Sequence, residues 1–233
     1  MIINELEHID DRLDVVNLVQ DDYYHSYERN TVCDAIVIHE SAGLNPEPRL
    51  RANKWGCHFV IHADGKTEQG CDIGRACSHA PQMNRRSVGI EIINPYYPPA
   101  RGLWIDAIDA PWAHKGKYLC PTLDQLEACA VLVDVLTSAC WEGVEIPRAW
   151  AMSPGRFPMS AAHEFWPGAG VLPHCHSVKP LRADGPFIAL YTWLRLNSGM
   201  SAERTRTMAM SLASKGKCKR VGGVWVADVG GVA

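Results

Sequence analysis

Two short apolar runs, Ala35-Ile36-Val37-Ile38-His39 and Ser87-Val88-Gly89-Ile90-Glu91-Ile92-Ile93, constrain the fold of this chain more than any other feature. The first is β-branched and bounded by Asp34 on one side and Ser41-Ala42-Gly43 on the other, so it reads as a buried strand, as does the second. Between them, His58-Phe59-Val60-Ile61-His62 runs through Asp64-Gly65 into Lys66-Thr67-Glu68-Gln69. Asp-Gly between two such stretches predicts a hairpin. Further on, Thr122 and Gln125 form a capping box ahead of apolar residues at Leu126, Cys129, Val133 and Leu136, which predicts a helix to about Cys140. Pro186 to Leu196 predicts another, with Pro186 in its first turn. Strands that alternate with helices around one hairpin predict an α/β domain whose central mixed β-sheet is flanked by helices.

Around this frame the chain divides into three. Residues 1–34 are polar, with small apolar knots, and read as an N-terminal extension packed on the domain. Residues 35–200 form the domain itself, and 201–233 a tail that opens with a basic helix candidate and ends in the glycine-rich Val221-Gly222-Gly223-Val224-Trp225-Val226. Within the domain, Asn94 to Cys120 holds several prolines and aromatics and reads as a long irregular insertion. Pro147 to Gly170 reads as loop, leading to a short strand at Val171-Leu172.

Composition disfavours some partners. A net charge of -3 leaves no basic footprint for nucleic acid. The longest apolar stretch, Ala128 to Leu136, is broken by Asp134 and is far too short to span a membrane. Nine cysteines suggest a disulfide set, but their number is odd and no C-x-x-C pair occurs. The start of the chain lacks the basic and apolar regions of a signal peptide, so synthesis in the reducing cytoplasm is expected, with most thiols buried as small hydrophobes.

The chemistry gathers at the end of the first strand and far downstream. His39 closes the first run, and Pro173-His174-Cys175-His176 is followed by Asp184. Zinc takes imidazole nitrogen and carboxylate oxygen, and a catalytic site keeps three protein ligands with the fourth position for water. Distant ligands can close a site that no local segment could build. The plainer alternatives are a core histidine at a strand end for His39, and a helix-capping turn for Asp184-Gly185-Pro186.

The succession Ile36-Val37-Ile38-His39-Glu40-Ser41-Ala42-Gly43, His58-Phe59-Val60-Ile61-His62-Ala63-Asp64-Gly65, Ser78-His79-Ala80, Asn84-Arg85-Arg86-Ser87-Val88-Gly89-Ile90-Glu91, and Gly170 to His174 through Arg182-Ala183-Asp184-Gly185-Pro186 resembles the zinc-dependent N-acetylmuramoyl-L-alanine amidases. These share a superfamily with the peptidoglycan recognition proteins. The resemblance implies a type 2 amidase-like fold, a Zn2+ cofactor and a peptidoglycan or muropeptide substrate. It implies His39 and Asp184 as ligands, Glu91 as general base, and Arg182 where relatives place a lysine that stabilises the oxyanion. His79 falls at a substrate-groove position. For the middle ligand, His174 lies ten residues before Asp184, as in the anhydro-muropeptide branch, and His176 eight before it, as in the phage branch. His174 is preferred because a strand end fixes a ligand better than the loop after it, with His176 as the alternative. Cys57 stands where phage relatives carry a tyrosine, which leaves Glu91 as the proton carrier. Three readings follow: a wall-lysing endolysin that reaches the wall after release, a recognition domain that binds without cutting, and a cytoplasmic amidase of soluble muropeptides.

Overall fold

The computed structural model of the protein describes residues 13–19, 25–41, 56–95, 107–110, 113, 116–138, 143–150, 168–176, 184–214, 218–221 and 224–227. The two apolar runs form strands β3 (Ala35–Glu40) and β7 (Ser87–Ile92), every residue of which is buried. They pair in parallel, as expected of strands covered on both faces. Around them lie β1 (Val15–Asn17), β4 (Phe59–Ile61), β5 (Thr67–Gln69) and β10 (Gly170–Pro173), in the order β1-β5-β4-β7-β3-β10. Only the β4/β5 hairpin is antiparallel; the other pairs are parallel, so the sheet is mixed.

Strand alternation sorts the side chains of this sheet into two layers. Ile36 and Ile38 of β3 and Val88, Ile90 and Ile92 of β7 join one core with helix α1 (Leu123–Ser138) and helix α2 (Pro186–Ser198). Leu126, Cys129, Leu132, Val133 and Leu136 of α1 and Phe187, Ile188 and Tyr191 of α2 fill it. Helix α3 (Ala202–Ser214), within the stretch read as a tail, adds Ala209 and Ala213 to the same core. The opposite face carries Ala35, Val37 and Leu172, packed under Ala80 and Met83.

The capping box forms as expected: Gln125 N–H donates to Thr122 Oγ1 at 3.1 Å, and Thr122 N–H to Gln125 Oε1 at 3.0 Å. Helix α2 starts at Gly185, whose φ of +91° and near contact with the Ile38 carbonyl exclude a side chain. No side chain caps this helix, so Asp184 does not do the capping work of the plainer reading.

Three stretches carry strands that no local sequence signal predicted. The insertion after Asn94 is not irregular throughout, because β8 (Ala107–Asp109) and β9 (Lys117–Leu119) form a hairpin that buries Tyr118. From the N-terminal stretch, β1 extends the main sheet, and β2 (Ser26–Glu28) pairs with β6 (Arg75–Cys77). The glycine-rich end carries β11 (Cys218–Val221) and β12 (Val224–Ala227), paired antiparallel. Among the described cysteines, Cys33, Cys57, Cys120, Cys129 and Cys175 are buried, whereas Cys71 and Cys77 are joined by a disulfide that the sequence did not reveal. No helix among the described residues is long and apolar enough to cross a membrane.

Candidate metal centre

Parallel register places the end of β3 between the ends of β7 and β10. His39 lies opposite Glu91 of β7, and Ile38 opposite Pro173 of β10, so His174 follows directly beside His39. Their rings sit 4.1 Å apart between centroids. Asp184, delivered by the turn into α2, completes the group. Its Oδ2 is 2.8 Å from His174 Nδ1 and 3.8 Å from His39 Nδ1. One donor atom from each of the three falls within 4.8 Å of the others, and the residues are only 4%, 7% and 6% exposed for His39, His174 and Asp184. Two imidazole nitrogens and a carboxylate oxygen are a donor set suited to zinc, and a buried carboxylate needs a cationic or hydrogen-bonding partner.

The turn carrying Asp184 is held by a residue that the sequence reading passed over. Glu40 follows His39 and points to the helix side of the sheet, where it is buried. Its Oε2 accepts the Gly185 N–H at 2.7 Å; its Oε1 accepts Tyr118 OH at 2.6 Å and Asn94 Nδ2 at 2.9 Å. In return, the Glu40 N–H donates to Asp184 Oδ2 at 3.4 Å. Burial lifts the Glu40 carboxyl to about 7 against the pull of these three donors. The one available signal was a carboxylate continuing an apolar run.

Glu91 is buried on the site face, and the Cys57 thiol donates to its Oε2 at 3.5 Å. Burial first, and the Glu91 charge next, push the Cys57 thiol well above its ordinary range, so it stays protonated. Position 57 therefore holds a neutral thiol that touches the carboxylate.

His79 stands on the other side of His39, its Nδ1 2.9 Å from His39 Nε2 and its Nε2 3.2 Å from Ser87 Oγ. Both ring nitrogens thus face protein groups. Burial pushes this imidazole well below its usual range. The structure therefore brings together His39, His174, Asp184, Glu91 and His79. The His176 side chain and Arg182 lie outside the described residues.

Residues 28–166, more than half of the chain, match the sequence profile described as Amidase_2, N-acetylmuramoyl-L-alanine amidase. The match ends before His174 and Asp184, whose place beside His39 comes from the fold. No curated protein matches the chain. Among solved structures, the chain is similar to N-acetylmuramoyl-L-alanine amidase LysC from Clostridium intestinale URNW, at 16% identity over 72% of this chain and 89% of that one, with a TM-score of 0.43. Similarity to the Ph2119 endolysin from Thermus scotoductus MAT2119 bacteriophage Ph2119 covers 70% and 88%, at 16% identity and a TM-score of 0.40. For wild-type Drosophila PGRP-LB the shares are 81% and 97%, at 17% identity and a TM-score of 0.42.

Proposed function

The chain belongs to the N-acetylmuramoyl-L-alanine amidase family, and from that premise we propose that it is a zinc-dependent member that lyses bacterial cell wall. The bond cut is the amide between the lactyl group of N-acetylmuramic acid and L-alanine. The observation that carries this reading is the convergence of His39, His174 and Asp184 on one buried point.

His39, His174 and Asp184 would hold the zinc ion, which would supply a Lewis acid for activating water and polarising the scissile carbonyl. The remaining work falls to the chain's own groups. Glu91, in register with His39 on the neighbouring strand, takes the proton of the attacking water on its carboxylate and returns it to the leaving amine. The protonated Cys57 thiol holds Glu91 through Oε2. Arg182, two residues before Asp184, donates to the oxyanion, a contact typically worth about 3 kcal/mol. A guanidinium cannot release its proton at neutral pH, so the acid that serves the leaving group is Glu91.

The test pairs metal analysis with release of new amino termini from purified peptidoglycan. The wild-type protein should hold about one zinc per chain, the stoichiometry of a three-ligand catalytic site, and release amines. His39→Ala, His174→Ala and Asp184→Ala should lose both, and His176→Ala should keep its zinc. Glu91→Gln should keep zinc while its rate falls by about 10²–10⁴-fold, the usual contribution of a general base. Full zinc and full activity in His39→Ala or Asp184→Ala would sink the proposed centre. Binding to peptidoglycan without amine release would make the protein a recognition domain. Activity on soluble anhydro-muropeptide but not on intact sacculi would make it a recycling enzyme.

A further inference from the structure

A histidine can ligate a metal through Nδ1 only if its proton resides on Nε2, and in water the two tautomers interconvert freely. In folded metal sites the choice is set by the partner of the other nitrogen. For His39 that partner is His79, whose Nδ1 lies 2.9 Å from His39 Nε2. Another imidazole can accept or donate, so it settles nothing unless it is itself fixed.

The next link fixes it. Ser87 Oγ is 2.8 Å from the Met83 carbonyl, which can only accept, and 3.2 Å from His79 Nε2. A hydroxyl has a single proton, and the shorter contact takes it. Ser87 therefore receives a proton from His79 Nε2. A neutral imidazole has one N–H, so His79 Nδ1 must accept, and the proton it accepts is the one on His39 Nε2. Read outward, the chain of donors runs from His39 to His79 to Ser87 to the Met83 carbonyl. His39 is left presenting the Nδ1 lone pair on the side of Asp184 and His174.

The same segment also holds the His79 ring in place. The backbone N–H groups of His79 and Ala80 both donate to Asn84 Oδ1, at 2.9 and 2.6 Å. A Cβ on Gly89 would lie 2.7 Å from His79 Cγ and Nδ1, so only glycine leaves room for the ring against β7. Three residues of the run Asn84 to Glu91 thus converge on one imidazole: Asn84 fixes its backbone, Gly89 its space and Ser87 its proton.

We propose that His79 is a positioning residue that locks His39 in the Nε2–H tautomer through a hydrogen-bond chain anchored on the Met83 carbonyl. The inference rests on the reading of His39 as a metal ligand. Its partner at the far end is a divalent cation, for which His39 is prepared before the cation arrives.

Long-range ¹H–¹⁵N NMR of the imidazoles reads the tautomers directly, in the full-length protein stripped of metal and again with zinc. Wild-type His39 and His79 should both carry their proton on Nε2 in the stripped protein. Replacing His79 with leucine, or Ser87 with alanine, should leave His39 a mixture of tautomers. Zinc affinity should then fall in His79→Leu by about 10- to 100-fold, the usual effect of losing such a partner. His79→Gln, whose amide oxygen can accept from His39 Nε2, should recover most of the loss; a merely space-filling role would not distinguish Gln from Leu. A proton on Nδ1 of either histidine in the stripped wild-type protein overturns the proposal, even if a variant fails to fold. Equal zinc affinity in His79→Leu and wild type also overturns it. Failure of the metal reading looks different: the wild-type protein would bind no zinc, while the tautomer measurement would still decide the relay.

Discussion

Glu40 shows how one residue can serve two layers of the molecule. It follows His39 on β3, so alternation turns its side chain away from the site and into the helix-side core. There its carboxylate collects Tyr118, Asn94 and the Gly185 N–H, and the last of these fixes the turn that presents Asp184. Glu40→Ala would take that acceptor from three buried donors, of which Asn94 Nδ2 keeps the Leu119 carbonyl at 2.9 Å, and a buried donor left unmet costs about 1–3 kcal/mol. We expect urea unfolding to register a loss of about 1–3 kcal/mol by the same reasoning, together with weaker zinc binding although no ligand is changed. Unaltered zinc affinity in a folded Glu40→Ala protein would separate the turn from the site. The legibility of the site follows from the same geometry. His39, His174, Asp184 and Glu91 could be singled out because residue type and order in the chain carry their chemistry. Glu40 could not, because its importance depends on Tyr118 and Asn94, which arrive from the stretch read as irregular insertion. Cys57 could be read only as a departure, since its contact with Glu91 is a fact of packing.

At the level of elements, the site is a consequence of strand register. β3, β7 and β10 run parallel and end at one edge, so the residues at their C-terminal ends meet. The central strands, the β4/β5 hairpin and helices α1 and α2 were legible because each carries a local signal: a β-branched run, Asp-Gly, a capping box, a proline in the first turn. Strands β1, β8 and β9 were not, because three-residue strands with mixed side chains owe their form to their partners rather than to propensity. Helix α1 allows the separation of fold from site to be tested. Thr122 caps it and also donates to the Ala63 carbonyl at 2.6 Å, tying the helix start to the β4/β5 hairpin. Gln125, buried behind the cap, donates to the Ile93 carbonyl at 2.9 Å. Thr122→Ala should cost about 1 kcal/mol, the usual loss of a threonine cap, and slightly more for the lost tether. Zinc affinity should not change, because α1 covers the face of the sheet opposite His39. A parallel fall in both quantities would mean that the two faces are not independent.

For the molecule as a whole, the polar side of the sheet sets a limit on the acid range in which it stays folded. His58 is fully buried beside the ring of His79, with centroids 5.7 Å apart. Its Nδ1 accepts the Gly89 N–H at 3.0 Å, and its Nε2 lies 3.0 Å from the Arg75 carbonyl, an arrangement satisfied by the neutral ring. Burial, and next the neighbouring Arg29 guanidinium, push its pKa from 6.5 down to about 3. The unfolded chain takes up a proton near pH 6.5 that the folded protein refuses until about pH 3. The stabilisation is therefore complete above pH 6.5 and is lost steadily as the pH falls between those values. At about 1.4 kcal/mol per pH unit, this one ring should remove about 2 kcal/mol of stability between pH 6.5 and 5. His79, also depressed by burial, acts in the same direction. Glutamine at position 58 offers one acceptor and one donor without a titrating group. Urea unfolding of His58→Gln should start below wild type at pH 7.5 and show a shallower fall toward pH 5, so that the two curves converge in acid. Parallel curves across that range would mean that His58 does not refuse the proton, and that the interior beneath the site is wetter than its packing indicates.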